Sequence, residues 1–238
     1  MIRLGVNIDH IATLRNARGE NHPDILKSAL HVIKKGADLI TIHLREDRRH
    51  INDEDLNILS QRKSIPINLE MAANNQMLKI ALKYKPKFVC IVPEKRQEIT
   101  TEGGLNLKKN FKILKRIISQ LNKKNIRTSL FINPNLNDVR LSSIIKTKCI
   151  DLHTGNISRK IKAKKLYKKD LNKIIQCAKY ASVNGIETHA GHGMDYKTAK
   201  VLSKVKQIKE FNIGHFIIGE SIFSGIDKVI KKFKKICK

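Results

Sequence analysis

Short apolar, β-branched runs alternate along this chain with longer segments whose apolar residues recur at three- and four-residue steps. The runs are 4–9 (LGVNID), 39–44 (LITIHL), 67–72 (INLEMA), 88–94 (FVCIVPE), 127–133 (RTSLFIN), 149–155 (CIDLHTG), 186–190 (IETHA) and 211–219 (FNIGHFIIG). Each predicts a strand. Their starts lie 21 to 39 residues apart, room for a strand, a helix and two loops. Pro23-Asp24 predicts a helix start and Gly36 its end. Asn74 caps a later helix that stops before Pro86, and Asn184-Gly185 ends the helix ahead of the seventh strand. Leu166, Leu171, Ile174, Ile175 and Ala178 form the inward stripe of that helix, with 157–169 as extra length before it. In the last helix the stripe is Val229, Ile230, Phe233 and Ile236.

Eight strand–helix units in 238 residues predict an α/β protein, a (β/α)8 TIM barrel with extra helices, as a single domain over 1–238. A doubly wound open sheet is the competing architecture. Polar residues gather at the C-terminal end of nearly every strand. A barrel brings all those ends to one face, whereas an open sheet concentrates them at one switch point, so the pattern favours the barrel.

Hydrophobic residues make up 41% of the chain, which excludes a mainly disordered protein. No run reaches the roughly 20 apolar residues of a membrane helix. The start, MIRLGVNIDH, carries no long apolar signal region, and a cytoplasmic protein is expected. Lys+Arg minus Asp+Glu is 48 − 21 = +27, a balance that raises nucleic-acid binding. However, the lysines of 162–173 and 227–238 fall on the outward faces of helical patterns. With no Trp, 5% aromatics and no zinc-finger or RRM signature, neither nucleic acid nor membrane is predicted as a partner. Cys90, Cys149, Cys177 and Cys237 form no C-x-x-C pair and read as buried reduced thiols, suited to a reducing compartment.

The strand ends carry the candidate chemistry. Asn7 and Asp9 alternate around Ile8, so two polar residues share one side of strand one. His43 alternates with Arg45, and Arg48, Arg49 and His50 follow; an arginine fork suits phosphate, although a surface salt-bridge loop would read the same way. Glu70 shares a side with Asn68. A carboxylate projecting into a barrel mouth is desolvated and gains basicity; an ion pair with an arginine is the alternative. The segment 93–104, long, polar and ending in two glycines, reads as a lid, with a disordered surface loop as the alternative. Strand six ends Asp151-Leu152-His153-Thr154-Gly155, and strand seven ends His189-Ala190-Gly191-His192-Gly193. Strand eight ends in a glycine, Gly219, and a helix start follows whose free N–H groups suit an anion. Residue chemistry alone therefore predicts a barrel enzyme for a phosphorylated substrate, with His and Glu moving protons. A metal-dependent hydrolase or aldolase using Asp9, His43, His189 and His192 is the alternative.

The strings GVNIDHIATLRNARG (5–19), TIHLREDRRHI (41–51), NLEMA (68–72), PEKRQEITTEGGL (93–105), HTG (153–155), AGHG (190–193) and NIGHFIIG (212–219) closely resemble the pyridoxine 5′-phosphate synthase family, the deoxyxylulose-dependent enzymes of vitamin B6 synthesis. The resemblance runs end to end and in order. It implies condensation of 3-amino-2-oxopropyl phosphate with 1-deoxy-D-xylulose 5-phosphate to pyridoxine 5′-phosphate, phosphate and water. It further implies no metal or organic cofactor, and a homo-octamer built as a tetramer of dimers. By motif, His43 and Glu70 become proton acceptors and His192 a proton donor. Asn7, Arg18, Gly193, Gly214 and His215 would contact the aminoketone phosphate. Asp9, His10, Arg45, His50 and Thr100 would meet the deoxyxylulose phosphate. Two departures stand out. Asp151 replaces a glutamate thought to stabilise a transition state, and His189, which reads as a spectator, replaces an asparagine.

Overall fold

The strands are β1 (Arg3–Asn7), β2 (Leu39–His43), β3 (Ile67–Met71), β4 (Phe88–Ile91), β5 (Arg127–Ile132), β6 (Cys149–His153), β7 (Glu187–Gly191) and β8 (Ile208–Ile213). They pair in parallel, in chain order, and β8 pairs back onto β1 to close a barrel. This is a computed structural model, and it describes residues 1–94 and 103–238. Around the barrel lie α1 (Asp9–Arg18), α2 (Ile25–Lys34), α3 (Asp53–Ser60), α4 (Asn75–Tyr84), α5 (Phe111–Asn122) and α6 (Leu136–Ile145), then α7 (Gly155–Lys162), α8 (Lys168–Val183), α9 (Tyr196–Leu202), α10 (His215–Ser224) and α11 (Ile226–Ile236). The architecture is the (β/α)8 barrel that the strand count predicts.

Period-two alternation divides each strand between two environments. Leu4, Val6, Ile40, Ile42 and Leu69 join the apolar cluster between barrel and helices, with Ile11, Ala29, Val32, Leu56 and Leu59 from the helix side. The alternate set faces the barrel axis and is largely polar. At its N-terminal end, Arg3, Arg127, Glu187 and Glu210 form a cross-barrel ion network. Arg3 Nε and Arg127 Nη2 each lie 2.9 Å from Glu210 Oε2, Arg127 Nη1 lies 3.1 Å from Glu187 Oε1, and Arg3 also pairs with Glu187. This floor leaves the C-terminal ends open to build a site.

Helix limits follow the local signals. The Asp24 and Asn74 side chains accept from the backbone N–H of Lys27 and Met77, and α4 ends two residues before Pro86. Gly36, at φ +108°, lies just past the cap of α2. Two expectations are corrected. The predicted strand 211–219 is split, because β8 occupies Ile208–Ile213 and His215 opens α10. A run of apolar residues does not by itself distinguish strand from helix, and Gly214 supplies the break. Leu166 is not in the inward stripe: it is 89% exposed and precedes α8, because residues 155–162 form a helix of their own. Val229, Ile230 and Phe233 of α11 are buried, whereas Lys231, Lys232 and Lys235 are exposed, so this lysine run is a solvated face. All four cysteines are buried and free. No helix among the described residues is long and apolar enough to cross a membrane.

Candidate active site

The C-terminal strand ends enclose a cavity of about 370 Å³, within the range of small-ligand pockets. Asn7, Asp9 and His10 enter it where β1 passes into α1, and His43, Arg45 and His50 enter from the end of β2 and its loop. Glu70 comes from β3, Asp151 from β6, His192 and Gly193 from the turn after β7, and Gly214 and His215 from the start of α10. Residues far apart in the chain thus meet at one face. Arg18 does not join them: it lies exposed in the last turn of α1, nine residues beyond Asp9 and about 13 Å along the helix. Thr100 and most of the predicted lid fall outside the described residues.

The acidic centre is built by close fitting. Asp9 Oδ2 accepts from Asn7 Nδ2 at 2.8 Å and Oδ1 from the His43 N–H at 2.9 Å, while Asn7 Oδ1 accepts from the Asp9 N–H. Glu70 Oε2 stands 3.9 Å from His43 Nδ1, and His43 Nε2 stands 3.6 Å from Glu94 Oε2. Both separations exceed a direct hydrogen bond. Glu70 and His43 therefore line one cavity without a direct hydrogen bond between them. Burial, then the charges of Asp9 and Asp151, push Glu70 up to about 8, with Arg45 opposing. Burial also raises Asp151 to about 6, opposed by His189 and by the Asn212 amide. Two carboxyls with different proton affinities near neutrality suit acid–base work.

His192 sits at φ +76° and Gly193 at φ +73°, an unusual left-handed pair that turns the imidazole toward the cavity. The turn is held by Thr154 Oγ1, 2.7 Å from the His192 carbonyl, and by Lys162 Nζ, which donates to the Gly193 carbonyl at 2.8 Å. The His153 ring lies 4.8 Å from that of His192. Gly155 makes room for both, since a Cβ there would lie 2.8–2.9 Å from ring atoms of each. Burial, then Arg159 and Lys162, lower the His192 pKa, and burial, then His192 and Arg159, lower His153 to about 4.

Two regions whose chemistry suits an anion flank these groups. One is the start of α10, where Gly214 offers no side-chain cap and Gly214, His215 and Phe216 line the cavity. A Cβ on Gly214 would lie 2.9 Å from that of Asn7, so glycine permits the close approach of helix and strand. The other is formed by Arg45 and His50. Arg45 is buried with Nε 4.0 Å from Glu94 Oε1, and His50 Nδ1 lies 2.7 Å from Thr13 Oγ1. Burial, then the charges of His10 and Arg45, lower His50 to about 4. His10 joins the regions, its ring 6.2 Å from His50 and 5.1 Å from His215.

The family model described as "Pyridoxal phosphate biosynthesis protein PdxJ" matches residues 4–238. The chain belongs to the PdxJ family. Among the relatives of this PdxJ-family chain, the pyridoxine 5′-phosphate synthase of Pelagibacter ubique (strain HTCC1062) is 58% identical over 99% of both chains. That of Ehrlichia ruminantium (strain Welgevonden) is 47% identical, over 99% of this chain and 97% of its own. Among solved structures, the tryptophan synthase A-subunit of Pyrococcus furiosus superposes with a TM-score of 0.62 at 14% identity, covering 99% of this chain and 96% of that one. The phosphoribosyl anthranilate isomerase of Thermotoga maritima gives 0.62 at 14%, covering 100% and 98%. These two likenesses establish the barrel alone.

The metal alternative loses its grouping in this PdxJ-family enzyme. His189 leaves the mouth and pairs instead with the floor, Nε2 2.8 Å from Glu187 Oε1 and Nδ1 3.3 Å from Glu210 Oε1. Cys149, Glu187 and His189 do bring ligand atoms within 4.8 Å of one another, as do Asp9, His43 and Glu70. Arg3 and Arg127 crowd the first trio with positive charge, and both Asp9 oxygens in the second already accept hydrogen bonds. Several lining residues were not singled out from the sequence: Val92, Phe131, Lys162, Met194 and Asn212. Asn212 was findable, since it alternates with Gly214 at the end of β8. Lys162 was not, because only the fold of α7 brings it to the mouth.

Proposed function

We propose that this enzyme condenses 3-amino-2-oxopropyl phosphate with 1-deoxy-D-xylulose 5-phosphate, giving pyridoxine 5′-phosphate, inorganic phosphate and water. One observation carries the reading: in a chain of this family, His43, Glu70, Asp151 and His192 line a single cavity, together with Arg45, His50, Gly214 and His215. Joining amine to ketone and closing an aromatic ring eliminates water repeatedly, and each elimination moves protons between heavy atoms. His43 and Glu70 take protons, His192 gives them, and Asp151 offers a negative charge to cationic imine species. Asn7, Gly193, Gly214 and His215 hold the aminoketone phosphate, and Asp9, His10, Arg45 and His50 the deoxyxylulose phosphate. Pure protein with both substrates is expected to form pyridoxine 5′-phosphate, detected by mass spectrometry. Absence of product from folded protein under all conditions would remove the reading.

A homo-octamer belongs to the same reading. It is supported by Leu14 of α1 and by Ile222 and Phe223 of α10, which are 61%, 80% and 87% exposed and which self-association would cover. Light scattering checks it, and a monomer would exclude it. A cytoplasmic location goes with it, supported by four buried free thiols.

A further inference from the structure

Asn212 of β8 makes three connections inside the barrel. Its Nδ2 donates to Asp151 Oδ2 at 2.9 Å and to Glu210 Oε1 at 3.3 Å, and its Oδ1 accepts from Thr41 Oγ1 at 2.9 Å. Thr41 accepts in turn from Asn68 Nδ2 at 3.4 Å. All five residues are buried. The strand β1 stands between β8 and β2, yet Asn212 reaches Thr41 across it. Gly5 leaves the gap: a Cβ there would lie 2.2 Å from Asn212 Oδ1. On the other side Gly191 clears Asp151, where a Cβ would lie 3.2 Å from Oδ1. Asp151 Oδ1 has no hydrogen-bond partner among the described residues, and Asp151 and Asn212 both line the cavity.

We propose that Asn212 is a positioning residue for the reaction: it clamps Asp151 through one carboxylate oxygen so that the other is held out, charged, toward the reacting atoms. The orientation of the amide is specified on both sides. Two carboxylate acceptors sit at Nδ2 and one hydroxyl donor at Oδ1, so a flipped amide would set its oxygen against both acids. Glu210 is itself fixed by Arg3, Arg127 and His189, which ties the clamp to the barrel floor. A carboxylate swings about two side-chain torsions, and a donor at one oxygen removes that freedom while favouring the ionised form. Gly5 then has a purpose outside the cavity, as the space through which the clamp is braced.

The inference rests on the reading of Asp151 as a charge facing the reaction, and the experiment separates the two. In Asn212→Ala, turnover is expected to fall by on the order of 10- to 100-fold with the KM of each substrate little changed. Gly5→Ala, which displaces the same amide without touching either acid, is expected to act in the same direction. In an Asp151→Asn background both costs should vanish, and the acid limb of the pH profile should move up in the single variants. Unchanged turnover in folded variants, or costs that multiply with Asp151→Asn, would overturn the proposal. If neither variant folds, Thr41→Val releases the far end of the amide, together with the long Asn68 contact to the same hydroxyl, and leaves the Asp151 end intact; loss of fold there as well would assign Asn212 to the core and also overturn it. Carboxyl ¹³C titration of Asp151 needs no substrate. A raised pKa in the variants, beside a wild type that forms no product, would keep the clamp and discard the proposed reaction.

Discussion

Glu70 is where chemistry and stability pull apart. Its carboxyl is held up at about 8 against an ordinary value near 4.5, because burial and the charges of Asp9 and Asp151 oppose ionisation. An acid raised in this way binds its proton more tightly folded than unfolded. It costs nothing at low pH, where both states hold the proton, and a penalty grows as pH climbs from about 4.5 to about 8. Glu70→Gln removes the penalty. Its thermal midpoint should exceed that of the wild type at pH 9, with little difference at pH 4, while turnover falls by on the order of 100-fold or more. Calorimetry at the two pH values and a rate assay check both; a midpoint lowered at pH 9 would contradict the burial argument. Asn7, Asp9, His43 and Glu70 were legible as residues, because polar side chains alternate at strand ends where an apolar core would otherwise continue. Their protonation was not legible, since it depends on which charges the closed barrel sets beside them.

Among the elements, the turn after β7 is the most constrained part of the site. His192 and Gly193 both take positive φ, and only the second is glycine. Gly193→Ala adds a Cβ in a left-handed conformation, costing about 1–2 kcal/mol. For a chain of this size the thermal midpoint should fall by roughly 2–8 °C. Turnover should fall as well, because the same turn aims the His192 ring. A variant with unchanged midpoint and rate would show that the turn tolerates the side chain. Helix limits at Asp24, Asn74 and Asn184 could be read because capping is local. The limit between β8 and α10 could not, because FNIGHFIIG is mostly apolar, with a pattern that suits strand and helix alike, and only its packing separates three residues of strand from a helix. Helix α7 escaped notice for a related reason: its partners on the barrel rim are distant in the chain.

At the scale of the molecule, charge is placed where the barrel closes. Glu210 is buried against Arg3, Arg127 and His189, and replacing one partner of a buried network strands the others. Glu210→Gln should cost about 3–5 kcal/mol, or roughly 6–20 °C in midpoint, measured by thermal unfolding. His189 adds a pH signature. Burial alone would lower its pKa, but Glu210, with Cys149 and Glu187, raises it to about 10 from 6.5. That stability is fully present below pH 6.5 and is lost as pH rises toward 10. The wild-type midpoint should therefore decline across that range, and His189→Asn should flatten the decline; an equal slope would remove His189 from the network. The barrel itself was readable from one dimension. Eight runs of period two at regular spacing have few compact solutions, and alternation assigns each side chain a face without reference to its neighbours. The clamp of Asn212 through Gly5, the joining of Asp9 to the His43 backbone and the withdrawal of His189 to the floor were not readable. Each depends on the register between strands that are remote in the chain, and hydrogen bonds and charge coupling exist only once closure has set those strands side by side.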